Sequence, residues 1–138
     1  MKNYLKLYIQ SKKYGNNTIF ENETLSLPSN ELFYLCGQNG CGKTTLLNIL
    51  SGIDENYLGE LSFNGQIINK SNLVSYKDNI VTYVPQLPIV IDEYSVLDNI
   101  KFAFPNFDKE KAFHILEKVG LKDFASQNAS SLSTGEKQ

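Results

Sequence analysis

The residues best suited to chemistry form one run in the first half of the chain, from Gly37 to Thr45, which reads GQNGCGKTT. The run, called the phosphate loop below, fits the pattern G-x-x-x-x-G-K-[ST] without a mismatch. A glycine-rich turn lets several backbone N–H groups approach an anion that side chains would otherwise block. We therefore expect Lys43 to reach the β- and γ-phosphates of a nucleotide and the Thr44 hydroxyl to ligate Mg²⁺.

The flanks of the phosphate loop predict the strand and the helix that position it. Leu32 to Cys36 is a short apolar run, typical of a buried strand. Residues 43–51 have leucines at helical spacing, and Gly52 follows as a stop signal; the expected apolar stripe is Leu46, Leu47 and Leu50. The start of that helix would offer unpaired N–H groups to the phosphates. The alternative is a glycine turn without a ligand.

Composition places the chain among ordinary globular domains. It has 138 residues, 41% of them hydrophobic, and a net charge of −2, so a packed core is possible and no basic surface for nucleic acid is indicated. No apolar run reaches the length of a transmembrane helix, and lysines interrupt the N-terminal segment, unlike a signal peptide. We expect a cytosolic chain in which Cys36 and Cys41 are reduced and packed.

Alternating patterns and turn residues predict the strands. Residues 3–10 alternate apolar and polar positions, and a polar turn region follows at 11–17. A second short strand is expected at 24–27, followed by a turn in which Asn30 tolerates a positive φ.

A hairpin is predicted after the first helix. Asn64-Gly65 joins the strand-like runs 60–63 and 66–68 and is a strong two-residue turn signal. Residues 69–79 are polar and predict irregular structure, whereas the β-branched run 80–84 predicts a strand that stops at Pro85.

The second half of the chain predicts helices. One helix is predicted at residues 95–104. A second is expected to begin at the cap Asp108 and to stop at Gly120, with a buried face of Ala112, Phe113, Leu116 and Val119. His114 lies off that face and has no nearby ligand partner, so we expect it to be partly exposed and structural. Ser133 and Glu136 have the spacing of a capping box, which predicts the start of a further helix.

Four motifs, in this order, resemble the nucleotide-binding domain of ATP-binding-cassette (ABC) proteins. Tyr14 lies where the family places an aromatic residue that stacks on adenine, and the phosphate loop matches the Walker A motif. Tyr83-Val84-Pro85-Gln86 resembles the strand that enters the Q-loop. LSTGE at 132–136 resembles the signature motif, usually written LSGGQ. The resemblance extends over the whole chain.

The resemblance implies a role for each motif. The implied ATP ligands are Tyr14 and the residues of the phosphate loop: Gly37, Gln38, Asn39, Gly40, Cys41, Gly42, Lys43, Thr44 and Thr45. Gln86 would join Thr44 at Mg²⁺ and position the attacking water. The signature would face the ATP of a partner subunit through Leu132, Ser133, Thr134, Gly135 and Glu136.

Each motif also has a simpler interpretation that the residues alone leave open. Tyr14 could be an ordinary turn aromatic, although base–aromatic stacking contributes about 1–3 kcal/mol where it occurs. Gln86 could simply end a strand, and the signature could be only a helix cap. Two departures from the usual signature bear on its role: Thr134 replaces a glycine, and Glu136 adds a negative charge near a polyanion.

The implied fold is an α/β P-loop NTPase of ABC type, with an antiparallel β subdomain, a partial parallel core sheet and a helical subdomain at about 87–132. We expect residues 1–138 to be an incomplete nucleotide-binding domain, because the Walker B strand, the general base and the switch histidine would follow Gln138. Hydrolysis by this chain alone is therefore doubtful. Without the remaining strands, the phosphate-loop strand should expose apolar faces, so we expect a poorly stable or aggregating product.

The leading functional hypothesis is the ATP-binding subunit of an ABC transporter, of a small export type. Its implied partners are a second nucleotide-binding domain, in a dimer around two ATP molecules, and a transmembrane permease that docks near residues 86–110. It would lie in the cytoplasm at the inner face of the membrane, without a nucleic-acid partner. The alternatives are a ribosome-associated, non-transport ABC protein and a non-catalytic remnant.

Overall fold

A computed structural model describes residues 4–104 and 106–138, which divide into two compact units, one ending at Tyr83 and one beginning at Val84. The first unit contains strands β1 to β4 and helices α1 and α2: β1 Tyr4–Tyr14, β2 Asn17–Pro28, α1 Lys43–Leu50, β3 Leu58–Phe63, β4 Gln66–Ile67 and α2 Leu73–Asn79. The second unit contains three α-helices and two 3-10 turns: α3 Val96–Ala103, α4 Lys109–Lys118, Lys122–Phe124, Ala129–Ser131 and α5 Thr134–Lys137.

The sheet of the first unit has the strand order β2-β1-β3-β4, and its neighbours all pair antiparallel. β1 and β2 are longer than the sequence pattern predicts, because their polar residues pair with each other, as in Lys12 opposite Phe20 and Tyr14 opposite Asn17. Ladder bonds satisfy the backbone of these polar residues as well as they would that of apolar ones. The chain turns at residues 15–16, inside the predicted turn region, but the predicted bounds of 11–17 for that region and the predicted strand start at Thr24 are wrong.

Both turns predicted from asparagine are confirmed. Asn64 and Gly65 have φ of 54° and 82° and join β3 to β4, with Phe63 opposite Gln66. Asn30 has a φ of 60° at the end of the β1–β2 hairpin region. Asparagine and glycine reach these left-handed conformations at less cost than other residues.

Helix α1 forms where the sequence predicts it, but it presents a different side chain to the core. Ile49 is buried against the sheet, with Leu46 and Leu50 packed beside it, whereas Leu47 is 45% exposed. The expected place of Leu47 in the apolar stripe is therefore wrong, because positions 46, 49 and 50 share one side of a 3.6-residue repeat. Gly52 ends the helix as predicted, with a φ of 71° and its N–H donating to the Ile49 carbonyl oxygen.

Helix α2 occupies a segment whose polar sequence predicts irregular structure. Its one buried residue is Tyr76, and Leu73 packs against the same core. Two apolar anchors in a seven-residue helix give too weak a periodic pattern to detect in the sequence. The expectation of an irregular 69–79 segment is wrong because tertiary contacts stabilise this helix.

Two further predicted strands, 32–36 and 80–84, are not strands among the described residues. Neither 32–36 nor 80–84 joins a ladder, and Leu32 and Tyr34 are 99% and 91% exposed. A parallel strand needs neighbours on its edges, and the described sheet is wholly antiparallel. The apolar run before the phosphate loop is therefore exposed to solvent. Cys36 and Cys41 are unpaired, as predicted, but both are exposed rather than packed.

The second unit is built from capped helices around a small core. Ser95 accepts a hydrogen bond from the Asp98 N–H, and Asp108 accepts from Glu110 and Lys111, so both predicted helix starts are confirmed. The core contains Val96, Leu116, Ala125 and Leu132.

Two expectations about α4 have different outcomes. Val119 is 61% exposed rather than buried, because α4 ends at Lys118 and Gly120, with a φ of 75°, turns the chain. Leu121 then packs against the core instead. His114 is exposed, so its expected place off the buried face of α4 is confirmed.

Candidate functional site

The phosphate loop precedes α1 directly and takes the backbone form that its glycines allow. Gly40 and Gly42 have φ of 82° and 98°, a region that other residues rarely adopt. Gly42 is the N-cap of α1, and its carbonyl oxygen accepts the Leu46 N–H at 2.8 Å. The loop residues from Gly37 to Cys41 are exposed, so their backbone groups are open to a ligand.

Lys43 is folded back over the loop that it follows. Its Nζ donates to the carbonyl oxygens of Gly37 and Gln38, each at 2.8 Å, and lies 3.9 Å from the Cys41 sulfur. The lysine side chain ends in an ammonium group, which carries a positive charge and has three hydrogen-bond donors and no acceptor. Lys43 therefore places a positive charge within the loop. Exposed carbonyl oxygens are neutral partners that a phosphate can replace with stronger, charge-assisted bonds.

The phosphate loop rests on the β1–β2 hairpin. A Cβ atom placed on Gly42 would lie 2.7 Å from Ile19 Cγ2 and 2.8 Å from Phe20 Cζ, both on β2. Glycine is thus required at position 42 for close packing as well as for its φ. The same hairpin carries Tyr14 at the end of β1, so Tyr14 and the loop belong to one unit.

Tyr14 is held by an ion pair that the sequence pattern does not reveal. Its ring is 51% exposed, and its hydroxyl donates to Asp54 Oδ2 at 3.0 Å. Lys12 Nζ contacts the same carboxylate, at 2.7 Å to Oδ2 and 2.9 Å to Oδ1, and also donates to the Asn56 carbonyl oxygen at 2.7 Å. Lys12 Nζ lies 4.4 Å from the centroid of the Tyr14 ring.

The Asp54 carboxylate is charged in this setting. Burial raises the pKa of Asp54, but hydrogen bonds from Lys12, the Asn56 N–H and Tyr14, together with the Lys12 charge, outweigh burial, and the pKa lies below its ordinary value. The group is therefore a stable Lys12–Asp54 ion pair at neutral pH, with Tyr14 as its third member.

Gln86 and the signature-like segment both belong to the second unit. Gln86 is exposed and follows Pro85, whose carbonyl oxygen accepts Gln138 Nε2 at 3.2 Å. Leu132 is buried in the core, and α5 begins two residues later.

The capping box predicted at the start of α5 is confirmed. Glu136 Oε2 accepts from both the N–H and the hydroxyl of Ser133, at 2.8 Å and 2.6 Å, and the Glu136 N–H returns a bond to Ser133 Oγ. These bonds from the Ser133 side chain and backbone lower the pKa of Glu136. The carboxylate that departs from the usual glutamine thus caps this helix, while Thr134 and Gly135 are exposed.

Comparison with protein families shows which family the chain belongs to. A family profile described as ABC transporter matches residues 20–138. The chain belongs to the ABC transporter family.

Several relatives align along nearly the whole chain. The spermidine/putrescine import ATP-binding protein PotA of Legionella pneumophila (strain Lens) is 37% identical over 133 residues, covering 92% of this chain and 36% of PotA. The sulfate/thiosulfate import ATP-binding protein CysA of Photorhabdus laumondii is 35% identical over 138 residues, and this alignment covers 93% of this chain and 37% of CysA. The chain thus spans little more than a third of the length of these relatives.

A solved structure supports the ABC fold. The dimeric, post-hydrolysis ATP-binding cassette MJ0796, bound to ADP and Pi, matches with a TM-score of 0.77 and 22% identity, covering 96% of this chain and 65% of that chain. The likeness confirms the predicted α/β fold class, with an antiparallel sheet and several helices. No described helix is both long and apolar enough to cross a membrane.

Sequence reasoning about this ABC chain missed Lys12 and Asp54, and for Lys12 the reason is a shift in strand register. β1 pairs Ile9 with Gly59 but Ser11 with Leu58, so one extra residue lies between them on β1. A bulge of this kind reverses which positions face inward. Before the bulge the buried residues are Leu7 and Ile9, and after it the buried residue is Lys12. Strict alternation would place Lys12 on the outer face. The one available signal in the sequence was that Lys12 lies two residues before Tyr14, the predicted adenine-stacking residue.

Proposed function

We propose that this chain binds MgATP through the phosphate loop, as the nucleotide-binding part of an ABC transporter subunit. The observation that carries the proposal is the Lys43 ammonium held inside a glycine-rich, exposed loop at the start of α1. That arrangement offers backbone N–H groups, a helix N-terminus and one full positive charge to a single triphosphate. The predicted ligands in the loop, from Gly37 to Thr45, are all part of it.

Tyr14 is proposed to stack on the adenine. Its ring is half exposed at the end of β1, and the β1–β2 hairpin that carries it also packs Ile19 and Phe20 beneath Gly42. The proposed base site and the phosphate loop therefore lie against the same hairpin. A stacked base contributes about 1–3 kcal/mol, which is a large share of the affinity of a weak nucleotide site.

Magnesium is proposed to bind with the nucleotide rather than before it. Among the residues that the structure describes, no group of three or more His, Cys, Asp or Glu could hold a metal ion. The Thr44 hydroxyl is exposed at the start of α1 and supplies one oxygen ligand. Mg²⁺ commonly keeps several waters and uses one or two protein ligands together with substrate phosphates, so Thr44 fits this role, and Gln86 is proposed as its second protein ligand.

The transport role is proposed for a protein of the length of the relatives, because this chain covers 36% of PotA and 37% of CysA. In such a protein the signature, residues 132–136, would meet ATP held by a second nucleotide-binding domain, and a permease would dock near residues 86–110 at the membrane. The export direction remains a prediction; the named relatives are import proteins, which supports import as the alternative.

Isothermal titration calorimetry of the full chain with MgATP tests the proposal. Lys43→Ala should weaken binding about 10- to 150-fold, since hydrogen bonds to charged groups contribute about 1.5–3 kcal/mol. Lys70→Ala removes the same charge from an exposed site in the same unit and should leave the affinity unchanged. Equal affinities for the wild type and Lys43→Ala would reject the assignment of the phosphate loop.

A further inference from the structure

The Lys12–Asp54 pair is more deeply buried than a surface ion pair needs to be. The Lys12 side chain is 1% exposed and that of Asp54 is 14% exposed. Burying two charges costs free energy that only good geometry and further hydrogen bonds recover. Lys12 Nζ has the Asp54 carboxylate and the Asn56 carbonyl oxygen as partners, and Asp54 also accepts the Asn56 N–H at 3.0 Å. Both charged groups therefore have the further hydrogen bonds that a buried ion pair requires.

The pair makes two contacts with Tyr14 that differ in kind and act together. The hydroxyl donates to Asp54 Oδ2 at one end of the ring, and Lys12 Nζ lies 4.4 Å from the ring centroid. A hydrogen bond at the tip and a cation against the face restrict the rotation of the side chain about both of its torsions. An exposed tyrosine without such contacts would lose this freedom only when a ligand bound.

The two faces of the Tyr14 ring are therefore unlike. Lys12 is buried and covers one face, so the exposed half of Tyr14 presents the other face. Asp54 lies two residues after Gly52, beyond the C-terminal end of α1, and the phosphate loop lies at the N-terminal end of the same helix. The helix between them has eight residues and is about 12 Å long.

We propose that Lys12 and Asp54 are positioning residues that fix the Tyr14 ring, so that its face opposite Lys12 is ready to receive a nucleobase. The inference rests on the proposed nucleotide site and adds the groups that set its affinity for the base. Pre-fixing one side chain saves the ordering cost that binding would otherwise incur. The pair acts on the base half of the ligand and leaves the triphosphate half to the phosphate loop.

Comparing a ligand that has a base with one that lacks it separates the contribution of the base from that of the triphosphate. The dissociation constants of MgATP and of magnesium tripolyphosphate, which has no base, are measured by calorimetry on the full chain. The dissociation constant of tripolyphosphate divided by that of MgATP is the ratio that reports the contribution of the base alone. Tyr14→Ala should lower this ratio about 5- to 150-fold, the equivalent of one stacked base.

Two variants test the positioning role. Asp54→Asn removes the charge, and Tyr14→Phe removes only the hydroxyl and keeps the ion pair intact, so that it remains informative if Asp54→Asn fails to fold. Each should lower the ratio about 2- to 12-fold, as expected for the loss of one pre-fixed side chain, with tripolyphosphate binding unchanged. Asp78→Asn, an exposed carboxylate in the same unit, is the control and should keep the wild-type ratio.

The outcomes distinguish this inference from the proposed function. A ratio that falls in Tyr14→Ala but stays at the wild-type value in Tyr14→Phe and in folded Asp54→Asn overturns the positioning role and leaves the nucleotide site standing. Equal losses of ATP and tripolyphosphate affinity also overturn it, because the pair would then support the unit as a whole. A wild-type chain that binds neither ligand overturns the nucleotide site, and the inference falls with it.

Discussion

The Tyr76 hydroxyl donates a hydrogen bond of 2.6 Å to the Leu50 carbonyl oxygen, at the C-terminal end of the helix that the phosphate loop opens. The last carbonyl groups of a helix have no partner within it, so a side chain from α2 here completes α1. Tyr76 is 2% exposed and is the only buried residue of α2. The helix behind the phosphate loop is thus secured by a residue from a segment that looks unstructured in the sequence.

Tyr76→Phe should lower the free energy of unfolding by about 0.5–1.5 kcal/mol, since it removes one hydrogen bond and keeps the ring in the core. Urea denaturation at pH 7 measures this change. Tyr8→Phe alters a tyrosine that is 44% exposed and should have no effect. An unchanged midpoint in Tyr76→Phe would show that the bond does not stabilise α1.

Tyr76 also predicts how stability depends on alkaline pH. Burial, with a smaller effect from Tyr57, raises the pKa of Tyr76 from 10.0 to about 12. Because the folded state holds this proton more tightly, the stabilisation is complete below pH 10 and is lost as the pH rises towards 12. The wild type should therefore lose stability over this range more steeply than Tyr76→Phe, and parallel curves for the two proteins would contradict the shift.

Gly42→Ala should destabilise the first unit more than Gly40→Ala does. Both glycines have a positive φ, which costs a residue with a side chain about 1–2 kcal/mol. A Cβ at position 42 would also overlap Ile19 and Phe20, whereas a Cβ at position 40 would meet nothing within 4 Å. Urea midpoints of the two variants measure the difference, and equal midpoints would show that the contact with β2 is not tight.

The apolar run at 32–35 should dominate aggregation. Leu32 and Tyr34 are almost fully exposed, so replacing both with serine should lower light scattering and change the free energy of unfolding by less than about 0.5 kcal/mol. Ile49→Ser, in contrast, alters a side chain that is 1% exposed and should unfold the chain. Scattering that does not fall in the double variant would place the aggregation-prone surface elsewhere.

The sequence predicts best where a local signal determines the structure. Asn64-Gly65, Gly52, Asp108 and the Ser133–Glu136 box each act within a few residues, and each lies where the pattern indicates. The phosphate loop belongs to the same class, because its glycines act on their own backbone.

The sequence predictions are wrong where contacts between residues far apart in the chain determine the structure. The run at 32–36 has the composition of a buried strand but lacks neighbours to pair with among the described residues. Tyr76 creates a helix by reaching across to Leu50, and the register shift beside Ile9 turns Lys12 inward to meet Asp54. None of these contacts is visible in a window of ten residues, because each depends on how two separate segments meet.

The measurement that tests the nucleotide site most directly is hydrogen exchange of the backbone amides with and without MgATP. Binding at the phosphate loop should slow exchange in the segment 38–46, where the loop and first turn of α1 would donate their N–H groups to phosphate, and Lys43→Ala should abolish that protection. The segment 109–118 of the second unit serves as an internal reference and should be unchanged. Measurable binding of MgATP without slower exchange in 38–46 would contradict the account.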